Sequence, residues 1–160
     1  MYYKDFTVCD YIASDGWLCR LIAVGWLEHG KPYDIGDVNL DVVSKIKELR
    51  KELEGAVFPS VKTRGLHRCS ICQSTGDAGV LVGSHINLFI PHQGFVFLAP
   101  GRVDHYVEAH RYLPPESFTN SVLKCHSPLS AEYREALRAA NRGYDPPLWR
   151  DMRRQPGESS

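Results

Sequence analysis

The sequence predicts an α+β fold, in which a small antiparallel sheet is joined to several helices. Three observations carry that expectation. An apolar run from Leu21 to Leu27 is bounded by turn residues, as a buried strand would be. Leu40, Val43, Ile46, Leu49 and Leu53 recur at helical spacing. A Cys-x-x-Cys pair, Cys69 and Cys72, then precedes a strand-rich stretch and a second pair, His105 and His110.

Taken in order, residues 1–36 read as β, punctuated by Gly30 and Gly36. A helix follows over 40–54, with Asn39 as its N-cap and Gly55 as its stop. The lysines and glutamates of KIKELRKELE form its wet face and are read as solvated surface. Residues 57–77 lose all periodicity and read as a loop containing the tight CxxC turn. Residues 79–99 read as two or three strands with a hairpin tip at His92-Gln93-Gly94, where Gly94 can take a positive φ. A helix is expected over about 101–111, stopped by Pro114-Pro115, and another over about 115–124. A last helix over 131–142 has Ser130 as cap, Gly143 after it, and Ala136, Leu137 and Ala140 turned inward. The expected organisation is one domain over 1–150 with a disordered polar tail over 151–160.

Composition narrows the function classes. The 160 residues suffice for one core, and 43% of them are hydrophobic. Lys+Arg and Asp+Glu number 19 each, so there is no basic excess of the kind that marks a bulk polyanion binder. No apolar run approaches the roughly 20 residues that cross a bilayer, so no membrane partner is expected. The N-terminal stretch MYYKDFTVCDY lacks the pattern of a signal peptide, and the expected location is cytoplasmic. Disulfides are rare there, and five cysteines cannot all pair within one chain. Cys9, Cys19 and Cys125 are isolated and read as small buried hydrophobes.

The CxxC pair is different. Zinc takes four ligands in a tetrahedron, and a CxxC turn presents two sulfurs to one ion. Histidines three to five residues apart are the usual complement, and His105 and His110 fit. Knuckle, hairpin and helix in this order form a treble-clef-like unit. Two features count against it. The stretch between Cys72 and His105 is long for a finger. Histidines five apart on a regular helix point about 140° apart, at roughly 100° per residue, so the start of that helix would have to be distorted. His67, two residues before Cys69, is an alternative ligand. Two free buried thiols, or a redox pair, are the competing readings. The redox pair would need its first cysteine at a helix N-terminus, and Gln73-Ser74-Thr75-Gly76 does not look like a helix opening.

Three blocks together resemble an uncharacterised family of small bacterial proteins. The first is GWLxxGxP[FY], matched by Gly25, Trp26, Leu27, Gly30, Pro32 and Tyr33. The second is RG[FL]HxCxxC, matched by Arg64, Gly65, His67, Cys69 and Cys72. The third is HYxxxHxYxPPxxF, matched by His105, Tyr106, His110, Tyr112, Pro114, Pro115 and Phe118. The resemblance covers 1–124 and leaves 125–150 as a helical extension. It implies that His67, Cys69, Cys72, His105 and His110 belong to one pattern, and it brings no activity with it. At Lys31, where the family tends to have histidine, this chain departs from the pattern.

Three functions compete. The preferred one is a binding or interaction module with a structural zinc and a contact face drawn from Trp17, Trp26, Tyr33, Tyr106, Tyr112 and Trp149, which leaves open whether the protein is an enzyme. The second is a metal-dependent nuclease or hydrolase of ββα-metal type, with His85 as base, Asn87 nearby, and Asp104 and Glu108 as the carboxylates at hand. The third is nucleic-acid binding through Lys62, Arg64 and Arg68 or the ladder Arg134, Arg138 and Arg142.

Overall fold

The computed structural model describes residues 1–10, 16–55, 68–82 and 86–149. Its strands are β1 (Arg20–Ala23), β2 (Asn87–Pro91) and β3 (Phe95–Pro100). Its helices are α1 (Leu40–Gly55), α2 (Ser70–Ser74), α3 (Val103–His110), α4 (Glu116–Lys124) and α5 (Ala131–Ala140), with a short 3₁₀ turn at Pro147–Trp149.

The α+β class is as expected, and the hairpin β2–β3 is antiparallel around Gly94, whose φ is 79°. The sheet as a whole is mixed. Its order is β1-β3-β2, and β1 joins β3 in parallel, Arg20 opposite Phe95 and Ala23 opposite Leu98. A central strand paired on both sides and covered on both faces needs apolar residues throughout, which is what FVFLA supplies.

β1 is shorter than the apolar run that announced it. The run stays buried through Leu27, but the strand ends before Gly25. There φ is +75°, and an added Cβ would lie 2.5 Å from Val103 Cγ2 at the start of α3. The outer edge of β1 is covered by the N-terminal segment: Cys9 N–H donates to Leu21 O (2.8 Å) and Ala23 N–H to Thr7 O (2.8 Å). That removes an open edge from the sheet.

α1 packs on α3 and α4, and α5 packs on β2 and β3. Asn39 caps α1 by accepting from the Asp41 N–H at 2.8 Å. Val43, Ile46, Leu49 and Leu53 face inward as their spacing requires; Leu40 is exposed and Val42 takes its place in the core. In α5, Leu137 and Ala140 are buried, while Tyr133 rather than Ala136 completes the inner face. Tyr133 donates its hydroxyl to Phe89 O at 2.7 Å, which satisfies a carbonyl of the edge strand β2.

One buried side chain fastens the C-terminal helix to the N-terminal segment. Asn141 is fully buried. Its Oδ1 accepts from the backbone N–H groups of Leu18 (2.6 Å) and Cys19 (3.2 Å), and its Nδ2 donates to Tyr144 O (3.1 Å). Truncation would strand two backbone donors, and leaving a buried donor unpaired costs roughly 1–3 kcal/mol. Asn141→Ala is therefore expected to destabilise the protein by about 2–3 kcal/mol, read from the midpoint of urea unfolding with an unchanged m-value.

Candidate metal centre

Cys69, Cys72, His105 and His110 converge. One ligand atom from each lies within 4.8 Å of every other. His110 Nε2 is 3.3 Å from both Cys69 Sγ and Cys72 Sγ, and His105 Nε2 is 3.5 Å from Cys72 Sγ. In a tetrahedral site with metal–sulfur bonds of about 2.3 Å and metal–nitrogen bonds of about 2.0–2.1 Å, the sulfur–nitrogen edge is about 3.5 Å. The observed separations lie close to that edge. Hydrogen bonding alone explains them poorly: one ring nitrogen faces two sulfurs, and one sulfur faces two ring nitrogens, so single protons cannot serve every contact. The donor set and its geometry fit a metal ion held by all four side chains.

Local structure explains how each ligand arrives. Cys69 is the N-cap of α2, and its sulfur accepts from the Cys72 N–H at 3.5 Å. The turn expected as plain loop thus opens a helix, though one of only five residues. The knuckle is backed by residues 79–81: Cys69 N–H donates to Val80 O (2.8 Å), Arg68 Nη1 to Gly79 O (2.8 Å), and Arg68 bridges Leu81. Gly79, at φ +80°, lies so close beneath the knuckle that an added Cβ would be 3.1 Å from Cys69 O.

The histidine pair spans α3, from its first turn, where the His105 N–H donates to Arg102 O at 3.0 Å in an i→i−3 bond, to its last residue. His110 is the last helical residue, and the next, Arg111, is left-handed at φ 53°. Arg111 N–H donates to Tyr106 O, five residues back rather than four. A turn closed by an i→i−5 bond is wider than an α-turn, so five residues bring the chain nearly once around. The two rings stand 5.1 Å apart between centroids and nearly perpendicular, at 84°.

The first block of the sequence closes around this centre. His29 N–H donates to Ser70 Oγ (2.9 Å), Tyr106 donates its hydroxyl to Leu27 O (3.4 Å), and Tyr33 donates to His110 O (3.4 Å). Lys31 lies over the Tyr2 ring instead, 5.7 Å from its centroid. His67, the alternative ligand, and His85, the candidate base, lie outside the described residues, as do Lys62, Arg64 and the tail at 151–160.

Burial favours the neutral forms of the side chains at this site. Burial pushes the His105 and His110 imidazoles below their ordinary range, and His110 adds to the effect on His105, so both rings are neutral near pH 7. Burial pushes the Cys69 thiol up. Thiolate is the form that binds metal, so uptake must expel thiol protons. Metal binding near pH 7.5 is therefore expected to release protons, and affinity rises with pH. Calorimetric titrations in buffers of different ionisation enthalpy would count them. On the acid side the sign is the same. Below the ordinary imidazole value of 6.5, the unfolded chain takes up protons that these two buried rings resist, so stability falls.

Several expectations need correction. Trp17, Trp26, Tyr106 and Tyr112 form no contact face, because all four are buried in the core; Trp17 stacks on Phe89 and Trp26 donates to Leu98 O. Two of the three arginines of the ladder are engaged: Arg134 and Arg138 both pair with Asp145, at 3.2 and 3.3 Å. Nor is the charged face of α1 all solvated surface, since Arg50 reaches across to the buried Asp104 of α3. The sequence carried no signal for that ion pair, because an arginine in a run of lysines and glutamates looks like every other wet position.

Fold and site together define a small α+β domain with a potential Cys₂His₂ metal centre between a knuckle and a helix. The chain belongs to the family described as Domain of unknown function (DUF7919), whose model matches residues 1–123 and so takes in all four converging side chains. No curated protein and no solved structure matches the chain. Among the described residues, no helix is long and apolar enough to cross a membrane.

Proposed function

We propose that the protein is a binding module stabilised by one structural zinc ion, held by Cys69, Cys72, His105 and His110 in a treble-clef-like unit. The observation that carries this reading is the pair of 3.3 Å contacts from His110 Nε2 to both sulfurs, with His105 Nε2 3.5 Å from Cys72. Two thiolates and two neutral imidazoles are the donor set of structural zinc sites, which use all four positions. Burial supports the same reading: Cys69, Cys72 and His105 are buried and His110 is half-buried. The five cysteines are free, which suits a reducing, cytoplasmic setting. The domain in this reading spans 1–150, with α5 as an extension beyond the family-like part.

The metal-dependent hydrolase reading has less support. A catalytic zinc keeps a coordination position open, and four protein donors leave none. The carboxylate beside the site is also engaged, because Asp104 pairs with Arg50 and turns to α1.

Elemental analysis of freshly purified protein is expected to find one zinc per chain. A chelator is expected to lower the melting temperature, and added zinc to restore it. Metal-free protein whose melting ignores both chelator and zinc would overturn the proposal. Incubation with plasmid or RNA and divalent metals is expected to give no cleavage.

A further inference from the structure

A second feature, remote in sequence from the CxxC knuckle, has the character of a ligand site. A cavity of about 570 Å³ opens beside β1 and the hairpin tip, within the size range of small-molecule sites. Its walls are Phe6, Leu18 and Phe95 on the apolar side, with Cys19, Arg20 and Arg142 among the polar residues. Among the described residues none that lines it is acidic, so the two guanidiniums give this lining positive charge beside its apolar side chains. Among the described residues, neither Arg20 nor Arg142 has an ion-pair partner, in contrast to Arg134 and Arg138 on the neighbouring helix.

Backbone conformation singles out the same cavity. Three non-glycine residues among those described have positive φ, and two of them, Phe6 (69°) and Arg142 (58°), line this one space. Arg142 stands just past α5, where Gly143 N–H donates to Arg138 O at 2.8 Å in a Schellman-type ending. That left-handed position is ordinarily glycine's. Phe6 is half exposed, at 57%, so core packing does not account for an aromatic ring held in this conformation. Residues held in this conformation cluster at active sites and ligand clamps.

We propose that this cavity binds a small anion with an apolar body, its carboxylate or phosphate head between Arg20 and Arg142 and its body against Phe6, Leu18 and Phe95. Guanidinium forks pair with either head group in a bidentate manner, and an aromatic body suits walls that include two phenyl rings. The inference does not rest on the zinc reading and survives its failure.

The test uses phenyl phosphate, benzoate, inorganic phosphate and the neutral benzyl alcohol as probes of the full-length protein, by calorimetry. At least one of the two aryl anions is expected to bind saturably and at least tenfold more tightly than inorganic phosphate or benzyl alcohol. The tighter of the two identifies the head group. Arg142→Gly is expected to raise the melting temperature, because glycine suits φ 58°, while weakening that binding tenfold or more. Arg20→Gln is expected to weaken binding similarly with melting unchanged. Bound ligand is also expected to slow modification of the half-buried Cys19 thiol, mapped by mass spectrometry. If neither aryl anion binds saturably, or if both arginine variants bind as the parent does, the cavity is not an anion site.

Discussion

Replacing Cys72 with serine is expected to abolish tight metal binding and to lower the melting temperature to that of the chelator-treated parent. Cys72 is the hub of the site, since its sulfur alone is within 3.5 Å of both imidazoles. Serine oxygen is a poor zinc ligand at neutral pH, and the position is 8% exposed, so solvent does not readily supply a substitute. Changes to groups that only orient a metal's ligands cost 10–100-fold in affinity, so loss of a ligand itself should cost at least about 100-fold. That is roughly 2.7 kcal/mol of folding stability at fixed free zinc, and about 5–10 °C in a chain of this size. Cys69→Ser should match it, because Cys69 is fully buried. His110→Ala should be milder: His110 is half-buried, and water can occupy the vacated position. The discriminating measurement is melting with and without chelator. The parent should respond strongly, His110→Ala weakly, and the two serine variants not at all. A serine variant that loses as much stability on chelation as the parent does would show that the ion is held elsewhere.

The four converging side chains were legible in the sequence because coordination chemistry demands particular atoms at particular spacings. Two cysteines two apart and two histidines five apart are visible in one dimension, and the helices on which they sit announce themselves by period. Other features depend on contacts between distant segments. The parallel pairing of β1 with β3 joins Arg20 to Phe95 across nearly half of the chain, and an apolar run reads the same whether its partner lies parallel or antiparallel. The widened turn at Arg111 has no residue signature, because arginine gives no hint of positive φ. The convergence of His105 and His110 itself answers the objection that two histidines five apart diverge on a regular helix. The aromatics misled for the opposite reason. A tryptophan or tyrosine suits a core and a contact face equally well until burial is known, and here four of the six candidates are in the core.

Asp104→Ala is expected to be among the most damaging single substitutions outside the metal ligands. Asp104 is 1% exposed and lies in α3 immediately before His105; Arg50 of α1 donates to its Oδ1, and Arg102 Nε lies 3.6 Å away. Arg50 is itself only 15% exposed, so removing the carboxylate leaves a guanidinium confined between α1 and α3 with its main counter-charge gone. Breaking a buried pair from one side costs about 3–5 kcal/mol. Replacing both partners by apolar residues of similar volume is often close to neutral. Arg50→Met with Asp104→Leu should therefore recover most of the stability lost by Asp104→Ala, provided the pair acts through its charges. Metal affinity separates a second role. If the ion pair positions α3 for the knuckle, Asp104→Ala will weaken zinc binding about 10–100-fold, as loss of an orienting group does. The apolar double variant restores packing between the helices without restoring the ionic tie. Zinc affinity that recovers together with stability would mean α3 is placed by packing alone. Affinity that stays low while stability recovers would mean the Arg50–Asp104 contact sets the angle at which His105 is presented to the metal.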